Sequence, residues 1–90
     1  MNEYHRMTKE NKDAFTTLVL YLMSVQETGR AVFLDWSGHV DWGSMSISKS
    51  PDEYEETIWG SCTNSFGFRN MDMEMVNEII GEIEKALALQ

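Results

Sequence analysis

The sequence predicts a small α+β domain in which a three-stranded antiparallel β-sheet is combined with an N-terminal and a C-terminal helix, in the order α-β-β-β-α. Both ends of the chain repeat apolar residues with helical spacing, and the segment between them alternates as strands do. With 90 residues, 42% of them apolar, the chain can bury one small core. We therefore expect a single domain spanning residues 1–90, with residues 1–7 as a mobile lead-in.

The first helix is expected to begin at Thr8, a good N-cap residue, and to end at Gly29, which readily takes the left-handed conformation that follows many helices. Residues 19–23 widen its apolar stripe almost to the full circumference. Such a helix is either sandwiched within its own domain or in contact with another chain. The main stripe consists of Phe15, Leu18, Leu22 and Val25.

A β-hairpin is expected next. Residues 30–36 and 39–42 are rich in β-branched and aromatic residues, and Ser37-Gly38 suits a two-residue turn between them. The apolar alternation slips after residue 42, and a bulge at Gly43-Ser44 would restore one continuous core face. The sheet would then be apolar on both sides, so that the helices cover both faces or one face is left for a partner. The two-residue turn pairs Trp36 with His39, Leu34 with Asp41 and Phe33 with Trp42.

Residues 50–63 have two interpretations. Ser50-Pro51-Asp52-Glu53 has the form of a helical capping box with proline at the first helical position, which would open a short helix ending near Gly60. Residues 57–63 instead have the composition of a third strand. We favour a turn at 51–54 followed by a strand from about residue 55 to residue 63.

The last helix has the clearest pattern, with Asn70 as the expected cap and Asp72 in the first turn, where the helix dipole favours anions. Glu74, Glu78 and Glu82 recur every four residues, although like charges at this spacing destabilise a helix by roughly 0.2–0.5 kcal/mol per pair. Helix stability therefore does not explain the row. Outside the core, Asn77, Gly81 and Ala88 form a strip where another backbone can approach. The core stripe consists of Val76, Ile79, Ile80, Ile83 and Leu87, extended by Met73.

The charge is unevenly distributed. Residues 1–30 hold four acids and four bases, whereas residues 31–90 hold eleven acids and three bases and so carry the whole net charge of −8. Such a protein repels DNA, RNA and anionic membranes but attracts a basic protein surface. We expect no direct binding to nucleic acid or membrane. The alternative is that the acidity only keeps the protein soluble.

Two acidic groups are the candidate partner-binding residues. Exposed methionine or tryptophan side chains would supply the apolar centre of such an interface, and at least one of Met71, Met73 and Met75 must face away from the core stripe. The candidate residues are Asp52, Glu53, Glu55 and Glu56 before the third strand, and Glu74, Glu78 and Glu82 on the last helix.

Catalytic chemistry is not indicated. His5 lies in the lead-in, His39 beside the hairpin turn is interpreted as structural, and Cys62 has no activating partner near it in sequence. We expect no enzyme activity, no catalytic residue, no metal site and no cofactor. The longest apolar run, residues 18–23, is too short for a membrane span, and no secretory signal is visible, so we expect a cytoplasmic protein.

The hairpin sequence VFLDWSGHVD, residues 32–41, resembles a hairpin found in small phage- and prophage-borne proteins of unknown function. The second strand departs from that pattern, because Ser44-Met45-Ser46-Ile47-Ser48 stands where those proteins continue with basic and aromatic residues. The resemblance implies a mobile-element origin and transfers no site. Small acidic phage proteins are often inhibitors of host defence proteins such as CRISPR effectors or restriction enzymes.

The combined interpretation is a non-enzymatic inhibitor of anti-CRISPR or anti-restriction type, which blocks a basic nucleic-acid-binding surface by charge mimicry. One alternative is an immunity or antitoxin protein that neutralises a basic toxin. Another is a homo-oligomeric structural protein, with a homodimer formed through the first helix or the sheet.

Overall fold

A computed structural model describes residues 8–37, 42–53, 56–60 and 71–90. It confirms the predicted α+β fold, with two helices and one antiparallel sheet in the strand order β1-β2-β3. A short 3-10 turn, Pro51–Glu53, stands before the third strand. The elements are α1 (Lys9–Glu27), β1 (Ala31–Ser37), β2 (Trp42–Ser48), β3 (Thr57–Gly60) and α2 (Met73–Ala88).

The first helix begins and ends where the sequence predicts. The Thr8 hydroxyl accepts a hydrogen bond from the Asn11 backbone N–H at 3.0 Å, and the Asn11 side-chain oxygen accepts one from the Thr8 N–H at 3.1 Å. This reciprocal capping box satisfies two donors that the first turn leaves unpaired. At the other end Gly29 has a φ of 100°, a conformation that glycine adopts without strain.

One face of α1 is buried. Leu18, Leu22 and Val25 of the predicted stripe lie in the core, whereas Phe15 is half-buried. The stripe continues toward the N-terminus through Ala14 and Asn11, which sequence analysis did not include. On other faces, Leu20 is 60% exposed and Met23 is 56% exposed. The helix therefore packs on one side and is not sandwiched among the described residues.

The predicted register of the hairpin is wrong. The structure pairs Phe33 with Ser46 and Ser37 with Trp42, so four residues, 38–41, separate the paired ends. Ser37 belongs to the strand and is not part of a two-residue turn. The predicted pairs of Trp36 with His39, Leu34 with Asp41 and Phe33 with Trp42 do not form, since Trp36 pairs with Gly43.

Burial explains why this register prevails over the tighter turn. The observed pairing puts Val32 opposite Ile47 and Leu34 opposite Met45, so four apolar residues share one face of the sheet. The two-residue turn would have placed Gly43 opposite Val32 and moved Met45 and Ile47 past the start of β1, opposite residues 30 and 28. The two registers differ by four residues, so each side chain keeps its face, but only the observed one pairs Met45 and Ile47 with apolar residues of β1.

The predicted bulge at Gly43-Ser44 is also absent, because the pairing of β1 with β2 is continuous. A register shift occurs instead between Ile47 and Ser48, where β2 pairs with β3. The second face of the sheet is not generally apolar: it carries the exposed Phe33 and Asp35 opposite the half-buried serines of β2. Both helices pack against the opposite face of the sheet and form one core with it.

The third strand confirms the favoured interpretation of residues 51–63, with a turn at Pro51–Glu53 and a strand at Thr57–Gly60. This strand is shorter than the predicted span, and residues 61–63 lie outside the described part of the chain.

The second helix begins later than predicted. Asp72 is the N-cap, with extended backbone and a side-chain oxygen that accepts a hydrogen bond from the Met75 N–H at 2.9 Å. The expectation of Asn70 as the cap is therefore wrong; that residue lies outside the described residues. A carboxylate at this position also interacts favourably with the helix dipole, which an amide does less well.

The core stripe of α2 is largely as predicted. Val76, Ile79 and Ile83 are buried, and Ile80 and Leu87 are half-buried. The extension through Met73 is wrong, because Met73 is 41% exposed while Met71 is fully buried. Neither α1 nor α2 is sufficiently long and apolar to cross a membrane. The core consists of Ala14, Leu18, Leu22, Val25, Met45, Ile47, Met71, Val76, Ile79 and Ile83.

Candidate functional site

The most distinct surface feature is a row of three exposed carboxylates on α2, which we call the acidic row: Glu74, Glu78 and Glu82. Their spacing of four residues puts neighbours about 6 Å apart along the helix axis, each displaced only slightly around it. The buried residues of α2 lie on the other side of the helix. Because the core fixes the rotation of the helix, it also directs the acidic row into solvent.

The charges of the acidic row are not compensated by ion pairs among the described residues. Lys85, three residues after Glu82, is the one base within α2, whose residues 73–88 include four acids. Two like-charge pairs therefore persist along one face of the helix, Glu74 with Glu78 and Glu78 with Glu82. This arrangement creates a negative field that the fold itself does not require.

The second predicted acidic group is partly compensated by a nearby base. Asp52 is exposed in the 3-10 turn, but the carboxylate of Glu56 lies 3.7 Å from the Lys49 ammonium group. The same two residues are joined through the backbone, since the Lys49 N–H donates to the Glu56 carbonyl at 3.0 Å. The side chains of Glu53 and Glu55 lie outside the described residues. One charge of this group is thus partly neutralised by its own chain.

Apolar side chains border the acidic row at both ends. Met75 is half-buried and lies three residues before Glu78, on a neighbouring position of the helix surface. Leu89, the C-cap residue, is 83% exposed and lies seven residues after Glu82, two turns along the same side. Met73 is also exposed, as the sequence predicted for at least one of the three methionines. The helix therefore offers apolar contact area beside the charges.

A scan against protein-family models, a search of curated proteins and a search of solved structures found no match to this chain.

Groups able to perform chemistry are not gathered in the described part of the chain. No cluster of three or more histidine, cysteine, aspartate or glutamate residues among those residues has a geometry that could hold a metal ion. His5, His39 and Cys62 lie outside the described residues. The expectation that the protein is not an enzyme stays a prediction.

A groove of about 610 Å³ that the sequence did not predict lies between α1 and β1, lined in part by Val19, Met23, Val32 and Leu34. These residues were assigned to a helix stripe or a sheet face, and their juxtaposition depends on how the helix lies on the sheet. The signal in the sequence was the apolar run of residues 18–23, which exceeds what one buried face can use.

Proposed function

We propose that this protein is a non-enzymatic binding protein whose acidic row occupies a basic, nucleic-acid-binding surface of another protein. The carboxylates of Glu74, Glu78 and Glu82 would stand in for phosphate groups. The observation that carries the proposal is that the three side chains are exposed, similarly directed and without an ion pair among the described residues.

Charge supports a basic partner of this kind. Exposed carboxylates accept charge-assisted hydrogen bonds from lysine and arginine, the residues with which proteins bind phosphates. The net charge of −8 would also accelerate encounter with a positive surface, because electrostatic attraction acts before contact. The row lies on one rigid helix, so binding would not require a loop to become ordered.

Affinity requires more than charge, since exposed ion pairs contribute little once screened by water and salt. The apolar side chains of Met75 and Leu89 border the acidic row and would be desolvated in a complex. Apolar anchors of this type supply much of the binding energy, while surrounding charges set the rate and the orientation. We infer that the interface is centred on α2.

A capture experiment tests the proposal. A lysate fraction retained on heparin, which enriches proteins with basic nucleic-acid-binding surfaces, is passed over the immobilised protein at low and at high salt. We expect capture at low salt, release at high salt and displacement by added DNA or RNA. The acidic-row variant Glu78→Lys/Glu82→Lys should capture nothing.

The matched control is Glu10→Lys/Glu27→Lys on α1. Each double variant changes the net charge from −8 to −4, because each reversal adds two units, and all four residues are exposed. The control should retain capture. Equal loss in both variants would attribute binding to net charge alone, and equal retention would exclude the acidic row as the binding surface.

A further inference from the structure

Within the described part of the chain, strand β1 has an open edge. The sheet order is β1-β2-β3, and among the described residues β1 pairs with β2 alone. Its seven residues, Ala31–Ser37, include neither lysine nor proline, and its pairing with β2 has no bulge. Proteins use these devices to protect exposed edges from pairing with other strands. With Asp35 as its one charged side chain and none of these other devices, β1 presents its outward N–H and C=O groups as a template for a further strand.

Apolar surface extends from this edge on both sides of the strand. On the helix side, the groove between α1 and β1 includes Met23, which is 56% exposed, and Leu34, which is 40% exposed. On the other face of the strand Phe33 is 49% exposed, beside a groove of about 690 Å³ at the start of β1 that Arg30 and Val32 also line. Contiguous exposed apolar surface beside an unpaired edge is typical of an interaction site.

The distribution of charge limits what can occupy this edge. Residues 8–37, which form α1 and β1, hold three bases and four acids, a net charge of −1. The acidic row is on α2, which packs against β3 at the opposite edge, whereas α1 packs against β1. The β1 edge is therefore the nearly neutral side of a strongly acidic protein. It offers a basic partner little attraction and a second acidic copy little repulsion.

We propose that the β1 edge binds a second copy of this chain, so that two β1 strands pair antiparallel and form one six-stranded sheet. A second copy provides both a strand that can pair with the edge and a low charge near it. Its own β1 is extended, apolar and nearly neutral and has the same open edge. An axis of two-fold symmetry at Leu34 makes this pairing self-complementary, with Phe33 of each copy opposite Asp35 of the other. An axis at Asp35 would instead oppose two carboxylates, which is unfavourable.

This register also joins the two helix-side grooves. Val32 and Leu34 lie on the same face of β1, the one that packs toward α1. In the dimer, these residues and Met23 of both copies meet across the axis and leave water together. The acidic rows lie at the two far edges of the joined sheet, where they remain accessible. The inference does not rest on the proposed function of those rows.

Sedimentation equilibrium over a range of protein concentrations tests the dimer. The wild type should reach twice the chain mass of 10.4 kDa. Leu34→Lys removes the apolar contact and opposes two lysines at the axis, so we expect its dissociation constant to rise about tenfold or more. The matched control is Leu20→Lys, which has the same change of residue at a position that is 60% exposed and does not line the groove. Its dimer should be as stable as that of the wild type.

Hydrogen exchange provides a second measurement that does not depend on a variant. Backbone amides of β1 should gain protection as the protein concentration rises, while those of β3 should not. A wild type that stays monomeric at all concentrations overturns the proposal, as does equal dimerisation of the two lysine variants. Concentration-dependent protection confined to α1 would likewise overturn it, and so would the binding of another protein's extended segment to the edge of a monomer.

Discussion

The side-chain nitrogen of Asn11 donates a hydrogen bond to the backbone carbonyl of Met71 at 2.8 Å, joining residues 60 positions apart. The same side chain accepts the hydrogen bond that closes the capping box with Thr8. Asn11 therefore completes the capping box of α1 and holds the start of α2 against that helix. Because the start of α2 is held there, this buried amide helps to determine where the acidic row faces.

Replacing Asn11 should destabilise the protein more than loss of a cap alone. In Asn11→Ala the capping acceptor is lost and the Met71 carbonyl is left without its donor, so we expect a loss of about 2–4 kcal/mol in unfolding free energy. Urea denaturation followed by circular dichroism measures this. Thr8→Ala, which removes the cap but leaves the bond to Met71, should lose only about 1 kcal/mol.

Asn11→Asp separates the two roles of the side chain. A carboxylate still accepts from Thr8 but cannot donate to the Met71 carbonyl, so this variant should also be clearly destabilised at neutral pH. A stability equal to that of the wild type would mean that capping is the whole contribution of Asn11.

Replacement by alanine should have opposite effects on stability at Gly29 and at Gly81. Gly29 has a positive φ, so Gly29→Ala should destabilise by about 1 kcal/mol through backbone strain. Gly81 lies in the middle of α2, and an added Cβ would meet no atom within 4 Å. Gly81→Ala should therefore stabilise by about 1 kcal/mol. Thermal denaturation of both variants checks the pair, and a destabilised Gly81→Ala would show that the position is more crowded than its surroundings indicate.

The acidic row should reduce the stability of the helix that carries it. Glu78→Gln removes both like-charge pairs, so we expect a gain of about 0.5 kcal/mol at low ionic strength, which diminishes as salt is added. Glu84→Gln is the control, since no acid lies three or four residues from Glu84. A gain that is equal in both variants, or that does not depend on salt, would contradict the claim that repulsion within the acidic row destabilises α2.

Tyr21 should make stability depend on alkaline pH. Burial, and to a smaller extent the Glu84 carboxylate, raise the pKa of its hydroxyl above the ordinary value of 10.0. The unfolded chain then loses this proton at a lower pH than the folded protein does. The stabilisation that results from this difference in pKa is fully present below pH 10.0 and is lost as the pH rises through the higher pKa of the folded state. Unfolding free energies measured across this range should decline less steeply for Tyr21→Phe. Identical slopes for the variant and the wild type would contradict the raised pKa.

Local patterns were sufficient to predict the order of the elements and the exposure of the acidic row. Helical spacing located α1 and α2, and the contrast between the buried stripe and the charged side of α2 predicted that Glu78 would be exposed. The capping residue of α1 was likewise predicted from residue type. These properties depend on neighbours within a few positions, which a single sequence displays directly.

Properties that depend on distant contacts were not predicted. The hairpin register follows from burying Met45 and Ile47 against both helices, which the turn sequence does not reveal. The ion pair of Lys49 with Glu56 arises because the backbone joins them at the start of β3, so charge counting overstated the second acidic group. The bond of Asn11 to Met71 links the first turn of α1 to the residue before the N-cap of α2.

The central claim is that the acidic row meets a cationic protein surface. The most direct measurement is the association rate constant of the protein with its captured partner as a function of ionic strength. We expect the rate to fall about tenfold or more between low and high salt, with a nearly constant dissociation rate, and Glu78→Lys/Glu82→Lys to lose this acceleration. An association rate that is independent of salt, or equal in the wild type and this variant, would contradict the claim.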